Sequence, residues 1–223
     1  MKILAIGDPH GKLPKNLGKL IKKNKPELII CTGELPGVIR LGDGTGFTDE
    51  KSFRSILKKL TSFKLPLILM KGNSYVSREG SKIFLKEIKK YRNVFYKKTG
   101  RFSFKSKNFI LFDMVFEIGR SAFNKLLKTL SKENKSREKR LNQLLKKTKD
   151  PILISHAPPF GYLDKVPKVG HVGSKIVLRA IKKHKPKLVL CGHIHEGKGK
   201  TKIGKTVVYN LGEGRHHKIL NIK

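Results

Sequence analysis

The sequence predicts an α/β fold in which two sheets pack face to face with helices outside. Short, strongly apolar runs recur along the chain, and most are separated by lysine-rich segments with apolar residues at three- and four-residue spacing. Runs this short suit strands buried on both faces, and strand alternating with helix marks α/β architecture. In two further regions strands follow one another through short turns, which asks for hairpins.

Taken in order, "KILAIGD" is the first strand, and its apolar run breaks at Asp8, too early for a secretion signal. "KNLGKLIKKNK" is a helix closed by Pro26, and "ELIICTGE" is a strand ending at Glu34. "DEKSFRSILKKLTSF" is the next helix, closed by Pro66, and "LPLILMKGN" a strand ending at Asn73. "REGSKIFLKEIKKY" is helical, and "NVFYKK", "RFSFKS" and "NFILFD" read as turn-linked strands up to Asp113. A basic helical insertion is expected at about 117–150. Beyond it lie the strand "PILISH", the helix "SKIVLRAIKKHK" closed by Pro186, and the strand "KLVLCGH". "KTKIGKTVVYN" and "HKILNI" complete the strands, and residues 1–223 are expected to form one domain.

Lys and Arg number 51 against 16 acids, a formal charge of +35. A field of that sign attracts polyanions and makes nucleic-acid binding salt-dependent. The insertion concentrates it: Lys132, Lys135, Arg137, Lys139 and Arg140 are the expected nucleic-acid contacts. Phe123, Leu126, Leu127 and Leu130, then Leu141, Leu144 and Leu145, recur at helical spacing as the docking stripes. The alternative is a merely solvated surface. No apolar stretch reaches the roughly 20 residues of a membrane span. Cys31 and Cys191 read as buried, reduced thiols, and a cytoplasmic location is expected.

The strand ends carry the chemistry. Asp8, His10, Glu34, Asn73, His156, His193 and His195 all fall there, where loops converge on a rigid edge. Carboxylate, amide and imidazole groups in one place suit a divalent transition metal. Asp43, in "LGDGTG", is a further carboxylate near this set.

"GDPHG", "TGELPG", "KGNS", "SHAPP" and "CGHIHEG" together resemble, in order and spacing, the motifs of the calcineurin-like metallophosphoesterases. "HAPP" followed by "GHVGS" is similar to the small archaeal and bacterial members. The resemblance implies a four-layer α-β-β-α sandwich and hydrolysis of a phosphate ester at two divalent ions of the Mn, Fe, Zn or Ni type. It implies that Asp8, His10 and His195 hold one ion, that Asn73, His156 and His193 hold the other, and that position 34 bridges them. The ester expected is that of a nucleotide or nucleic acid. The alternative is a catalytically impaired fold that binds RNA or a ribonucleoprotein.

Two positions depart from the family pattern. Glu34 stands where Asp is usual, which lengthens the carboxylate arm by one C–C bond, about 1.5 Å. Ser74 stands where many members have His and cannot act as an acid near neutral pH. His171 is the candidate replacement, and with Asn73 it is the expected catalytic pair. His184, His216 and His217 read as solvated, and Phe160 and Tyr162 as pocket wall or packing.

Overall fold

The structure, a computed structural model, describes residues 1–40, 46–75, 77–113 and 124–222. Asp43 and Phe123 lie outside these residues, as do the side chains of residues 124–134, Lys132 among them.

From the N-terminus, β1 (Lys2–Ile6) leads through α1 (Leu17–Asn24) to β2 (Leu28–Cys31). A small ribbon, β3 (Val38–Arg40) and β4 (Gly46–Thr48), precedes α2 (Glu50–Thr61), β5 (Leu67–Leu69) and α3 (Arg78–Ile88). Then come β6 (Val94–Phe95), β7 (Thr99–Phe104), β8 (Lys107–Phe112) and the long α4 (Asn124–Lys146). β9 (Ile152–Ser155), the short pair β10 (Lys165–Val166) and β11 (Gly170–His171), α5 (Lys175–His184) and β12 (Leu188–Cys191) follow. The last strands are β13 (Gly199–Ile203), β14 (Thr206–Asn210) and β15 (His217–Asn221).

Two main sheets form, in the orders β15-β1-β2-β5-β6 and β13-β14-β12-β9-β8-β7. Their centres are parallel, and β15, β13 and β7 close the margins antiparallel. Successive side chains on a strand point to opposite faces. Ile3, Ala5, Leu28, Ile30 and Ile68 therefore meet Phe109, Leu111, Ile152, Ile154, Leu188 and Leu190 between the sheets. The alternate set, Leu4, Ile6, Ile29, Cys31, Leu67 and Leu69, packs outward with Phe53, Leu57 and Phe84 of α2 and α3. Ile110, Leu153 and Val189 do the same with Leu141 of α4 and Val177 and Ile181 of α5. Helices, sheet, sheet, helices: this is the four-layer sandwich. The free, buried thiols of Cys31 and Cys191 lie on the two outer faces.

Local chemistry sets the helix ends. Asp49, Ser77 and Ser174 cap α2, α3 and α5 with side-chain oxygens, each such cap contributing about 1 kcal/mol. α1 and α5 stop at Lys25 and Lys185, both in the left-handed region, just before Pro26 and Pro186. Each lysine N–H returns to the carbonyl four residues back, Ile21 and Ile181.

The structure differs from the sequence reading at several places. β6 does not form a hairpin with β7; it extends the first sheet parallel to β5. The ribbons β3–β4 and β10–β11 have two or three residues per strand, too few to leave a periodic trace. The C-terminal half of α4 is part of the outer layer, with Leu141 and Leu145 buried. His184 is not merely solvated, because its Nε2 lies 2.7 Å from Asn142 Oδ1 and ties α5 to α4. Arg137 is corrected as a nucleic-acid contact. It is buried, donates to the Lys98 carbonyl at 3.2 Å and sits over the Phe112 ring. Lys135, Lys139 and Arg140 are exposed. Among the described residues no helix is long and apolar enough to cross a membrane.

Candidate metal centre

The loops after β1, β2, β5, β9 and β12 bring the seven strand-end residues together. Asp8 is fully buried. Its Oδ1 accepts from Thr32 Oγ1 at 2.9 Å, and its Oδ2 accepts from the His193 amide at 2.5 Å. His195 Nε2 and His156 Nδ1 lie 3.6 and 3.9 Å from the same Oδ2. The His10 and His195 rings meet edge to face at 5.0 Å, and the His156 and His193 rings are tilted at 4.7 Å. His156 Nε2 is 3.4 Å from Glu34 Oε1, and the Asn73 amide donates to that oxygen.

His10, Glu34 and His193 all adopt left-handed backbone angles, φ 44°, 39° and 68°. Strain of this kind collects where side chains must be aimed rather than merely packed. Gly33 shows the crowding: a Cβ there would fall 2.4 Å from His156 Nδ1.

The charges are balanced locally. Burial works to raise the pKa of Asp8, yet the His156 charge, the nearby His195 ring and the hydrogen bonds from the His193 amide and Thr32 hold it at about 2. Burial works to lower His156, but Asp8 and Glu34 overcome it and raise the ring to about 9. Burial and the His156 charge push His193 down to about 3. The Asp8 carboxylate, 3.6 Å away, raises His195, and burial lowers His10.

The residues fit a divalent ion. Asp8, His10 and His195 offer ligand atoms within 4.8 Å of one another, near the spread of groups at about 2.0–2.2 Å from one ion. Among the described residues, Asn73 Oδ1, His156 Nε2 and His195 Nε2 are buried without a hydrogen-bond partner, an arrangement that is costly unless something else satisfies them. His156 Nδ1 lies 3.0 Å from the Thr32 carbonyl. A proton on Nδ1 leaves the Nε2 lone pair facing the Glu34 carboxylate, a repulsion that a proton or a cation relieves.

His171 stands apart, on β11, where its Nδ1 pairs with the buried Asp164 Oδ1 at 2.6 Å and its ring faces Phe160. Tyr162 packs into the outer core. The Asn210 amide ties this loop to the metal turn, donating to the Leu163 and Ile194 carbonyls at 2.9 and 2.7 Å.

Sequence reasoning missed four supports: Thr32, Asp113, Asp164 and Asn210. Asp113 accepts from the Lys71 and Gly72 amides, each at 3.2 Å, and so fixes the turn that carries Asn73. Its position at the end of "NFILFD" was the available signal, since a carboxylate closing a buried strand has to find partners.

Comparisons with known proteins give the family and the fold. Residues 46–222 match the family described as "Metallophosphoesterase, calcineurin superfamily". The Methanocaldococcus jannaschii protein MJ1162 is 27% identical over 217 residues, 94% of this chain and 87% of that protein. The human metallophosphoesterase domain-containing protein 1 is 44% identical over 61 residues, 26% of this chain and 19% of that protein. Two solved structures share the fold. A dimetal phosphatase from Danio rerio superposes with a TM-score of 0.62 at 13% identity, covering 97% of this chain and 88% of that one. The Thermus thermophilus protein TT1561 gives 0.61 at 15% identity, covering 100% and 99%. With the matched region spanning most of its length, the chain belongs to the calcineurin superfamily of metallophosphoesterases.

Proposed function

We propose that the chain is a metal-dependent phosphoesterase. The observation that carries this reading is the set of buried, unpartnered ligand atoms on Asn73, His156 and His195 around the buried Asp8 carboxylate. Asp8, His10 and His195 would hold one ion, and Asn73, His156 and His193 the other. Nitrogen and carboxylate donors of this kind suit Mn, Fe, Zn or Ni. Bound ions would supply a water acidified toward neutral pH and charge to orient the phosphate. The chain's own part is to hold Asp8 ionised, to keep His193 neutral, and to present these groups at one rigid edge.

The ligand bears phosphate, and a nucleotide or a nucleic-acid strand suits the surroundings. A hollow of about 390 Å3 is lined by Lys198, Lys200, Tyr209, Arg215 and Lys218. Arg215 also lines a smaller hollow beside it, together with His10 of the centre. A cationic hollow with a tyrosine in its lining suits a phosphate-bearing strand. The exposed Lys135, Lys139 and Arg140 of α4 add a second cationic face, which favours the alternative reading as an RNA-binding module.

The test is hydrolysis of an aryl phosphodiester and an aryl monoester with added Mn2+, Ni2+ or Zn2+. Turnover is expected to fall at least 100-fold in His195→Gln. A folded, metal-loaded protein that hydrolyses neither ester refutes the enzymatic reading.

A further inference from the structure

The two residues that depart from the family pattern touch each other. Glu34 Oε2 accepts from both the Ser74 amide, at 3.0 Å, and the Ser74 hydroxyl, and Oε1 accepts from the Asn73 amide. All three donors come from the turn after β5. That turn is itself braced: Asp113 holds its first amides, and the buried Lys71 Nζ donates to the Tyr75 carbonyl at 2.6 Å and to Ser81 Oγ at 3.0 Å. Gly72, at φ 71°, makes the approach possible, since a Cβ there would lie 2.8 Å from Glu34 Oε1.

An ionised carboxylate offers about four acceptor positions. Hydrogen bonds from the turn take three of them in Glu34, both on Oε2 included. The remaining position is on Oε1, the oxygen 3.4 Å from His156 Nε2. Glu34 is correspondingly absent from the Asp8, His10 and His195 cluster. A carboxylate so engaged has capacity for one ion on the His156 side and none to share with a second.

We propose that Glu34 and Ser74 act as a coupled pair that removes position 34 from the bridging role, leaving two unlinked and unequal metal positions. The position of Asp8, His10 and His195 fills first. The position of His156, His193 and Asn73 fills weakly, because its carboxylate is held by the Ser74 turn. This rests on the phosphoesterase reading for the site itself, but concerns metal binding alone. The longer side chain at position 34 and the short hydroxyl at position 74 then form one compensated change: a histidine at position 74 would remove the hydroxyl that the longer carboxylate uses.

The experiment is a Mn2+ titration of metal-stripped protein, followed by calorimetry and electron paramagnetic resonance. The unmodified chain is expected to take one tight equivalent with the spectrum of an isolated Mn2+. Ser74→Ala keeps the backbone donors and should tighten the second equivalent about tenfold, the worth of one hydrogen bond to a charged group. Glu34→Asp cannot reach the Ser74 hydroxyl and should take two equivalents with the spectrum of a coupled pair. The double variant Glu34→Asp, Ser74→Ala should gain little more than Glu34→Asp alone, because the two effects share one interaction. Zero equivalents, or two coupled ones, in the unmodified chain overturns the proposal, as does an unchanged second equivalent in Ser74→Ala. The phosphoesterase reading fails separately, by absence of turnover in protein whose metal content is already known.

Discussion

Metal-free protein should lose stability as pH rises from about 6.5 toward 9, and His156 is the reason. Its ring is fully buried, and the Asp8 and Glu34 carboxylates overcome that burial and raise its pKa to about 9. A group whose folded pKa lies above its unfolded value stabilises fully below the unfolded value. That contribution disappears as pH climbs through the folded one. The step from 6.5 to about 9 is worth about 3 kcal/mol at 1.36 kcal/mol per unit. His193 works in the opposite direction. Burial and the His156 charge lower it to about 3, so its contribution is present above 6.5 and is lost as pH falls. Asp8, held at about 2, adds a further acid loss only below its ordinary carboxylate range. The metal-free optimum is therefore expected near pH 6.5.

Urea unfolding followed by circular dichroism, at half-unit steps from pH 5 to 9, measures this directly. His156→Gln should flatten the alkaline limb and serves as the control for the charged surface. Saturating Mn2+ should reverse that limb, because metal binding displaces protons and strengthens as pH rises. A metal-free stability that stays level between pH 6.5 and 9, or an alkaline loss undiminished in His156→Gln, refutes the reasoning; His195, also raised, leaves a smaller residual loss.

Arg137→Ala should cost about 2 kcal/mol, the loss of charged hydrogen bonds and ring contact between α4 and β7–β8, while nucleic-acid affinity at fixed salt stays unchanged. Reversing the exposed Lys135, Lys139 and Arg140 to Glu should flatten the salt dependence of nucleic-acid binding by about 0.7–0.9 log units per lost contact, with thermal stability kept; an unchanged slope removes α4 as the contact face. Asp164→Asn weakens the orientation of His171, so if His171 contacts substrate both Asp164→Asn and His171→Gln should lower kcat by tenfold or more at unchanged metal content. A loss confined to KM would instead mark a binding role. Phe84→Ala, deleting a fully buried ring that stacks between Phe53, Tyr75 and Tyr96, should cost about 3–5 kcal/mol in urea unfolding.

Much of the fold was legible because its strands are apolar on both faces. "LIIC" and "LVLC" have no polar residue to be placed, so they could only be central strands, and the lysine-rich stretches between them had one apolar stripe each. The pairing of β6 was not legible. Val94 and Phe95 are only half-buried, and nothing in so short a run says which sheet it joins. The strand-end residues were legible as a set because an Asp or His ending a buried strand has no other place to go. Their supports were not. Thr32 and Asn210 act through hydrogen bonds to residues 24 and 16 positions away, and spacing along the chain carries no sign of them. The contact between Glu34 and Ser74, 40 residues apart, was equally hidden, so the two departures read as separate defects when they are one arrangement.

A formal charge of +35 and a candidate cation site are compatible in one molecule because they act over different ranges. The excess lysines sit mainly on exposed surfaces, where salt at physiological strength screens them beyond about 8 Å. Asp8 is fully buried and tied to Thr32 and the His193 amide, so water and salt hardly attenuate its field within the centre. An approaching phosphate would meet the surface field first, along Lys198, Lys200 and Arg215 of the hollow proposed above. A divalent ion, repelled at long range, would be held only by the groups it touched. On the proposed reading its affinity would be set by Asp8, the imidazoles and the disposition of Glu34, and the surface charge would govern which anion arrives beside it.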